Sequence, residues 1–206
     1  AEAGTDGEIV TIVTRRSDNY HDVGLHWAVG VTFLAMSVFA AFPDYYRALI
    51  LRIMGGWEHE LSDRAFLTVL LCALIIKFLA TRYIMAIMPL RMALTPRATK
   101  ARRVRRRAIA LFRAMVQGRT RARTGVLIYL SLDEHRAELV ADSAINDKVA
   151  PEVWGEAMAA LIDGVRAGDP AGGMESAIQC VGGVLAQHFP RSADDSNELP
   201  DRLIEL

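Results

Sequence analysis

The sequence predicts an α/β fold that carries two membrane-spanning helices inside its first crossover, and three observations support this fold class. Short runs rich in β-branched residues alternate with helical patterns, which is typical of β-α-β units. Two apolar stretches, each long enough to cross a bilayer, lie between the first two of these runs. The 206 residues leave room for one modest soluble domain beside that insert. We therefore expect one soluble domain that a helical hairpin interrupts.

Basic and acidic residues are separated along the chain, although the 24 lysines and arginines balance the 24 aspartates and glutamates. Residues 64–132 contain no acid, whereas residues 133–206 contain fifteen acids and five bases. Many bases follow directly after the second apolar stretch, which the positive-inside rule associates with the cytoplasmic side. We therefore expect an integral protein of the cytoplasmic (inner) membrane, with the soluble domain and both termini on the cytoplasmic side.

The first strand is expected at residues 8–14, where β-branched residues dominate between flanking turn formers. Together with a polar link, this strand forms the first part of the soluble domain, residues 1–22. The chain begins at Ala1 without an initiator methionine, so we expect upstream residues to be missing or removed.

Residues 23–90 form the expected transmembrane hairpin, with spans at about 25–42 and 65–84. A stretch of about 18 residues makes roughly 27 Å of helix, which is close to the thickness of a bilayer core. The second span carries Lys77 and Arg82, which a simple span would not contain. Either both side chains extend to the basic side of the membrane, or Lys77 has a partner inside it.

Residues 91–190 supply the rest of the soluble domain, and residues 191–206 form an acidic, mostly irregular tail. A helix is expected first, because Val104, Ala108 and Phe112 share one apolar face. Two β-rich runs separated by a tight turn then predict a strand hairpin. The expected elements of this part are a helix at 98–118, strands at 126–132 and 137–141, and helices at 151–168 and 170–188.

Four carboxylates are expected to converge at one edge of the sheet, because the membrane insert fixes the direction of each strand. The third strand must end where the first two begin, which brings Asp142 close to Arg123. Converging carboxylates are the ligands that Ca2+ or Mg2+ needs, so this set is the candidate metal site. Alternatively, the acids are solvated and paired with Arg121 or Arg123. The candidate ligands are Asp6, Glu8, Asp142 and Asp147.

The basic run near the start of the predicted helix 98–118 has two interpretations. Bases directly after a span satisfy the positive-inside rule and contact anionic lipid headgroups. Nucleic-acid binding is the other interpretation, and we expect no such partner because no aromatic platform or groove-reading motif accompanies the charges. The candidate membrane-surface residues are Arg97, Lys100, Arg102, Arg103, Arg105, Arg106 and Arg107.

Signatures of the familiar hydrolase and nucleotide-binding classes are missing from the sequence. The five histidines show no metal-ligand spacing. We find no Gly-x-Ser-x-Gly, no phosphate-binding glycine loop and no His-Glu-x-x-His. The sequence therefore favours a binding function over catalysis, and it predicts no cofactor other than the candidate Ca2+ or Mg2+.

Four segments of the sequence resemble the TPM-domain family in its bacterial membrane branch. They are residues 7–10, 123–131, 138–142 and 197–200. The resemblance covers the soluble parts of the chain, at roughly 1–22 and 97–206. It implies an α/β/α sandwich with a small mixed sheet between helices, in which the elements follow the order β-α-β-β-α-α.

The resemblance also implies two functions. Some members of the family resemble calcium-binding or weakly active acid phosphatases, whereas others are accessory subunits of membrane proteins. Our main hypothesis is a membrane-anchored module that associates with or stabilises other membrane proteins from the cytoplasmic face. The alternative is a weak divalent-cation-dependent phosphatase, in which Asp6 and Asp142 bind the metal and Arg123 steers the phosphate. The family often has a glycine after the Ala-Asp pair, where this sequence has Ser143.

Overall fold

The computed structural model describes residues 4–53, 61–120, 123–192, 198–199 and 202–206. The chain forms two compact units. The first contains the chain up to Asn19 and again from Pro96 onwards, and the second is residues 20–95. Arg121, which the sequence offered as a partner for the carboxylates, lies outside the described residues, and so do residues 193–197 of the acidic tail.

Four strands form a mixed sheet in the first unit: β1 Glu8–Thr14, β2 Gly125–Ser131, β3 Arg136–Ala141 and β4 Ile204–Glu205. Their order in the sheet is β3-β2-β1-β4. β1 is parallel to β2 and to β4, whereas β2 and β3 are antiparallel. This confirms the predicted small mixed sheet. The sequence did not predict β4, which the C-terminal tail adds to the free edge of β1.

Within the described residues the helices are α1 His21–Ala41, α2 Pro43–Ile53, α3 Asp63–Ile84, α4 Met88–Leu94, α5 Arg97–Met115, α6 Ser143–Asn146, α7 Gly155–Arg166 and α8 Pro170–His188. A 3-10 turn, Pro151–Trp154, leads into α7. The predicted helix at 98–118 corresponds to α5, which ends earlier because Val116 leaves helical geometry and packs into the core beside β2. The sequence did not predict α4 or α6.

Helices cover both faces of the sheet, because the side chains of each strand alternate between two apolar cores. On one face, Leu127 and Tyr129 of β2 pack with Val104 and Phe112 of α5. On the other face, Ile128 and its neighbours pack with residues of α7 and α8. β2 is therefore buried on both sides, which explains its continuous apolar sequence. The α/β/α sandwich expected from the sequence is confirmed.

The second unit contains two helices, α1 and α3, that are long and apolar enough to cross a membrane, by length and composition. They have 21 and 22 residues, correspond closely to the predicted spans, and pack against each other. Most of their large apolar side chains are exposed, which is not typical of helices in a soluble core. Examples are Phe33, Leu34, Leu67, Leu71 and Ile76.

A buried arginine closes one end of this helical unit. Arg91 of α4 is 3% exposed, and its Nε donates a hydrogen bond to the carbonyl oxygen of Met85 at 2.7 Å. Its Nη1 lies 3.4 Å from Nδ1 of His21. Met85 follows α3 and His21 begins α1, so one side chain contacts both ends of the hairpin. α4 therefore fixes the place where the chain leaves the helical unit.

A close approach between the end of α5 and the sheet fixes the start of β2. A Cβ atom on Gly125 would overlap with Cγ1 of Val116, which is fully buried. Only glycine leaves room for the valine side chain at this position. The contact matters for the site described below, because Gly125 lies between two of the predicted carboxylates.

We predict that Gly125→Ala lowers the free energy of unfolding by about 1–3 kcal/mol, because the added methyl group overpacks the core against Val116. In a Val116→Ala background the same substitution should have a much smaller effect, since the overlapping methyl groups are gone. Chemical denaturation of the wild type and the three variants measures this coupling.

Gly155→Ala is the matched control, because nothing lies within 4 Å of a Cβ at that position. It should leave the free energy of unfolding unchanged or raise it slightly. An equal loss from Gly125→Ala in both backgrounds would show that Val116 is not the cause.

Candidate functional site

The end of the sheet at which β1 and β2 begin also contains the C-terminal end of β3. The backbone N–H of Glu8 donates to the carbonyl oxygen of Thr124 at 3.1 Å, and the N–H of Asp142 donates to that of Gly125 at 2.9 Å. Glu8 is also the register partner of Gly125. Glu8 and Asp142 therefore flank Gly125 on its two sides.

Each of the four predicted metal ligands has its own structural surroundings. Oδ1 of Asp6 accepts a hydrogen bond from the N–H of Ser192 at 2.6 Å. Oε1 of Glu8 accepts one from the N–H of Glu198 at 3.2 Å. Both carboxylates thus hold the C-terminal segment against the start of β1. Asp142 caps α6, and Asp147 is exposed at the other end of that helix.

The side chain of Val116 packs over Gly125 on the α5 face of the sheet. It occupies the space above Gly125, between the strand positions of Glu8 and Asp142. Across the ranges that the structure describes, no three or more His, Cys, Asp or Glu side chains come together as a metal site. The four-carboxylate Ca2+ or Mg2+ site therefore stays a prediction, and Asp142 is the acid whose surroundings leave room for a ligand.

Asp142 lines a cavity of about 430 Å³ together with Arg123, Gln117 and Asn146. The carboxylate is 5% exposed, and its Oδ1 accepts a hydrogen bond from the N–H of Ser143 at 3.0 Å. Its Oδ2 is buried and accepts no hydrogen bond from the described residues. A buried carboxylate oxygen without a donor is unfavourable, so a hydrogen-bond donor or a cation in this cavity would stabilise it.

The predicted membrane-surface bases lie along α5 in two groups. Arg97 and Lys100, in its first turns, line a cleft beside the β2–β3 hairpin. The others lie further along the helix, where Nη1 of Arg103 pairs with Oδ2 of Asp18 at 2.7 Å. The remaining exposed members are Arg102, Arg105, Arg106 and Arg107.

The sequence analysis missed two acids, one buried and one half-buried. Glu134, in the turn between β2 and β3, is 6% exposed and accepts hydrogen bonds from the N–H of Ser17 at 3.0 Å and from the hydroxyl of Ser131. Burial raises the pKa of Glu138 in β3, and the positive charges of Arg105 and Arg136 oppose this effect. The two-residue alternation of β3 places Glu138 on the α5 face, and this signal was available in the sequence.

The fold and the acidic sheet edge define an α/β sandwich domain with a helical insert in its first crossover. Residues 88–184 match the sequence model of the TPM domain, so this part of the chain is similar to the TPM-domain family. The match runs from α4 into α8. It confirms the resemblance noted in the sequence.

The structure is also similar to the NMR structure of BA42 protein from the psychrophilic bacterium Bizionia argentinensis. The TM-score is 0.53 and the sequence identity is 18%, with 100% of this chain and 84% of that chain covered. At this identity the similarity shows a shared fold alone. None of the curated proteins compared with the chain matches it.

We predict that Glu138→Gln raises the free energy of unfolding at neutral pH. Burial disfavours the charged carboxylate of Glu138 in the native state, and glutamine removes that charge. The raised pKa means that the native state binds this proton more tightly than the unfolded chain. The destabilisation is therefore present above the raised pKa and fades as the pH falls through it towards the ordinary value of 4.5. Thermal unfolding midpoints of variant and wild type should converge on acidification.

Glu156→Gln is the control, because Glu156 is exposed in the first turn of α7. It should show no such gain at neutral pH. A Glu138→Gln variant that is less stable than wild type at neutral pH would contradict the prediction, since the attraction to the two arginines would then outweigh burial.

Proposed function

We propose that the protein is a membrane-anchored accessory module that binds or stabilises other membrane proteins from the cytoplasmic face. The observation that carries this proposal is the position of the helical unit in the chain. In the sequence, this unit is inserted between β1 and β2, two strands that pair along their whole length in one sheet. The α/β domain is thus connected to the apolar helices at two points instead of one.

Both connections are short. β1 ends at Thr14 and α1 begins at His21, whereas α4 ends at Leu94 and α5 begins at Arg97. Six intervening residues reach at most about 20 Å when fully extended. Within the domain, Arg103 pairs with Asp18 at 2.7 Å and so holds the first connection against α5. Such short connections keep the domain close to the membrane, so we expect its partners to lie in the same membrane.

The exposed apolar surfaces of α1 and α3 support a place in the bilayer, because water would not stabilise so much contiguous apolar surface. Both helices are long and apolar enough to cross a membrane, by length and composition. The bases of α5 follow the second span within a few residues, which favours the cytoplasmic side for the domain. We therefore expect the bases of α5 to contact anionic lipid headgroups.

We predict that the full chain co-purifies in mild detergent with a membrane protein in stoichiometric amount. Amine crosslinking in native membranes, followed by mass spectrometry, should map the contact to the α/β domain. That domain contains two lysines, Lys100 and Lys148, so the crosslinks should start from one or both of them.

A Lys100→Arg/Lys148→Arg variant is the matched control, because it keeps both charges and removes both reactive amines. It should retain the co-purifying partner and lose the crosslinks. Repeated isolation of the wild type as a lone protomer, with no crosslinked membrane protein, would reject the accessory role.

A weak divalent-cation-dependent phosphatase is the second candidate function, and one observation favours it. The buried Oδ2 of Asp142 borders the same cavity as Arg123, so a cation ligand and a phosphate-binding guanidinium lie at one site. Asp6 would be the second metal ligand under this proposal. Its carboxylate is the acceptor for the N–H of Ser192, which leaves lone pairs for a cation.

Under the second proposal, Asp142→Asn should abolish calorimetric Ca2+ binding and phosphatase turnover together. Asparagine caps a helix about as well as aspartate, so the fold should survive the substitution. Asp147→Asn is the control at the exposed end of α6 and should change neither property. If the wild type shows neither Ca2+ binding nor turnover above a buffer blank, the phosphatase proposal fails.

A further inference from the structure

A basic cleft lies at the end of the sheet opposite Asp142. It has a volume of about 500 Å³ and is bounded by the first turns of α5, the β2–β3 hairpin and the end of α7. Four basic side chains from these three elements line it: Arg97, Lys100, Arg136 and Arg166. We refer to this site as the hairpin cleft.

The acids near the hairpin cleft only partly neutralise these charges. Glu134 lines the cleft with one negative charge against the four positive ones, and its two oxygens accept hydrogen bonds from the backbone of Ser17 and from the hydroxyl of Ser131. Asp163 pairs with Arg166 at 3.3 Å on the exposed surface of α7. In the part of the chain that the structure describes, Arg97 and Lys100 form no ion pair.

The direction of α5 adds to the positive potential. The N-terminus of a helix is the positive end of its dipole, and acids normally occupy it. α5 has no acid in its first turn, and no side chain caps it. Arg97 and Lys100 occupy this end instead, so two cations lie where the dipole disfavours them. An anion in the cleft would offset both effects.

The guanidinium of Arg136 connects the β2–β3 hairpin to α5. Its Nη2 donates to the carbonyl oxygen of Arg97 at 3.5 Å. One of its donors is therefore engaged with the backbone, while guanidinium groups carry five donors in all. The cleft thus brings donors from a helix, a hairpin and a second helix to one place, as recognition of a group with several oxygens requires.

We infer that the hairpin cleft binds a phosphate group. A phosphate carries the negative charge and the several oxygens that two or three guanidinium forks and an ammonium group can share. The group comes either from the headgroup of an anionic phospholipid or from free phosphate in solution. Chain connectivity links the cleft to lipid, because Arg97 follows the last residue of the helical unit by two positions.

This inference goes beyond the accessory role and does not depend on it. It is also separate from the phosphatase proposal, since the cleft and the Asp142 cavity lie at opposite ends of β3. A protein without partner or turnover can still bind phosphate here. Conversely, a partner-binding protein with an empty cleft would leave the accessory proposal intact.

The test uses the full chain in zwitterionic nanodiscs at low salt, titrated with inorganic phosphate and, separately, with a short-chain phosphatidic acid. Arg97→Gln/Lys100→Gln should weaken binding about tenfold or more, because each charge-assisted contact contributes that order of affinity. Arg106→Gln is the matched control, an exposed α5 arginine outside the cleft. It should change the affinity less than about twofold, the modest effect of one remote screened charge.

A second variant, Arg166→Gln, distinguishes loss of binding from a folding defect in α5, because Arg166 is exposed on α7 and pairs with Asp163 of the same helix. It should also weaken binding, whereas Arg97→Lys, which keeps the positive charge, should weaken binding less than Arg97→Gln does. Binding of both ligands indicates recognition of the phosphate group itself, and binding of the lipid alone indicates the headgroup as its source. No binding of either ligand, or an equal loss from Arg106→Gln, overturns the inference.

Discussion

A helical hairpin inserted between two neighbouring parallel strands constrains the rest of this structure. A hairpin returns the chain to the end from which it left: a Cβ on Gly24, near the start of α1, would lie 3.3 Å from Cβ of Met85, just after α3. β1 and β2 can therefore keep full register although a whole helical unit separates them in sequence. Arg91, buried against Met85 and His21, holds the two ends of the hairpin together.

The two ends of the sheet consequently have different chemistry. The connections to the helical unit leave from the end that carries the β2–β3 hairpin, and the bases of α5 begin there. The opposite end holds the C-terminal segment through Asp6 and Glu8, and it leaves an unsatisfied oxygen on Asp142. The basic cleft lined by Arg97 and Lys100 and the cavity lined by Asp142 therefore lie at opposite ends of β3.

The sequence predicted most of the fold because periodicity encodes it. β1 and α8 have the predicted bounds, since β-branched residues and a capped apolar stripe identify them locally. β4 could not be predicted, because a strand of two residues has no pattern and depends on the free edge of β1. At the candidate functional site, the order and direction of the strands were enough to predict that Asp142 lies beside the start of β2. The hydrogen bonds of Asp6 and Glu8 depend on loop conformations that no periodicity encodes, and so does the packing of Val116.

Accessibility of the two native cysteines tests the membrane-inserted arrangement most directly. Cys72 is exposed on α3 and Cys180 is exposed on α8, so both would react in a water-soluble protein. A membrane-impermeant maleimide should label neither in intact cells and should label Cys180 alone in inverted membrane vesicles, because lipid shields Cys72. Labelling of Cys72 by the aqueous reagent, or of Cys180 from outside the cell, would contradict a lipid-embedded hairpin with a cytoplasmic domain.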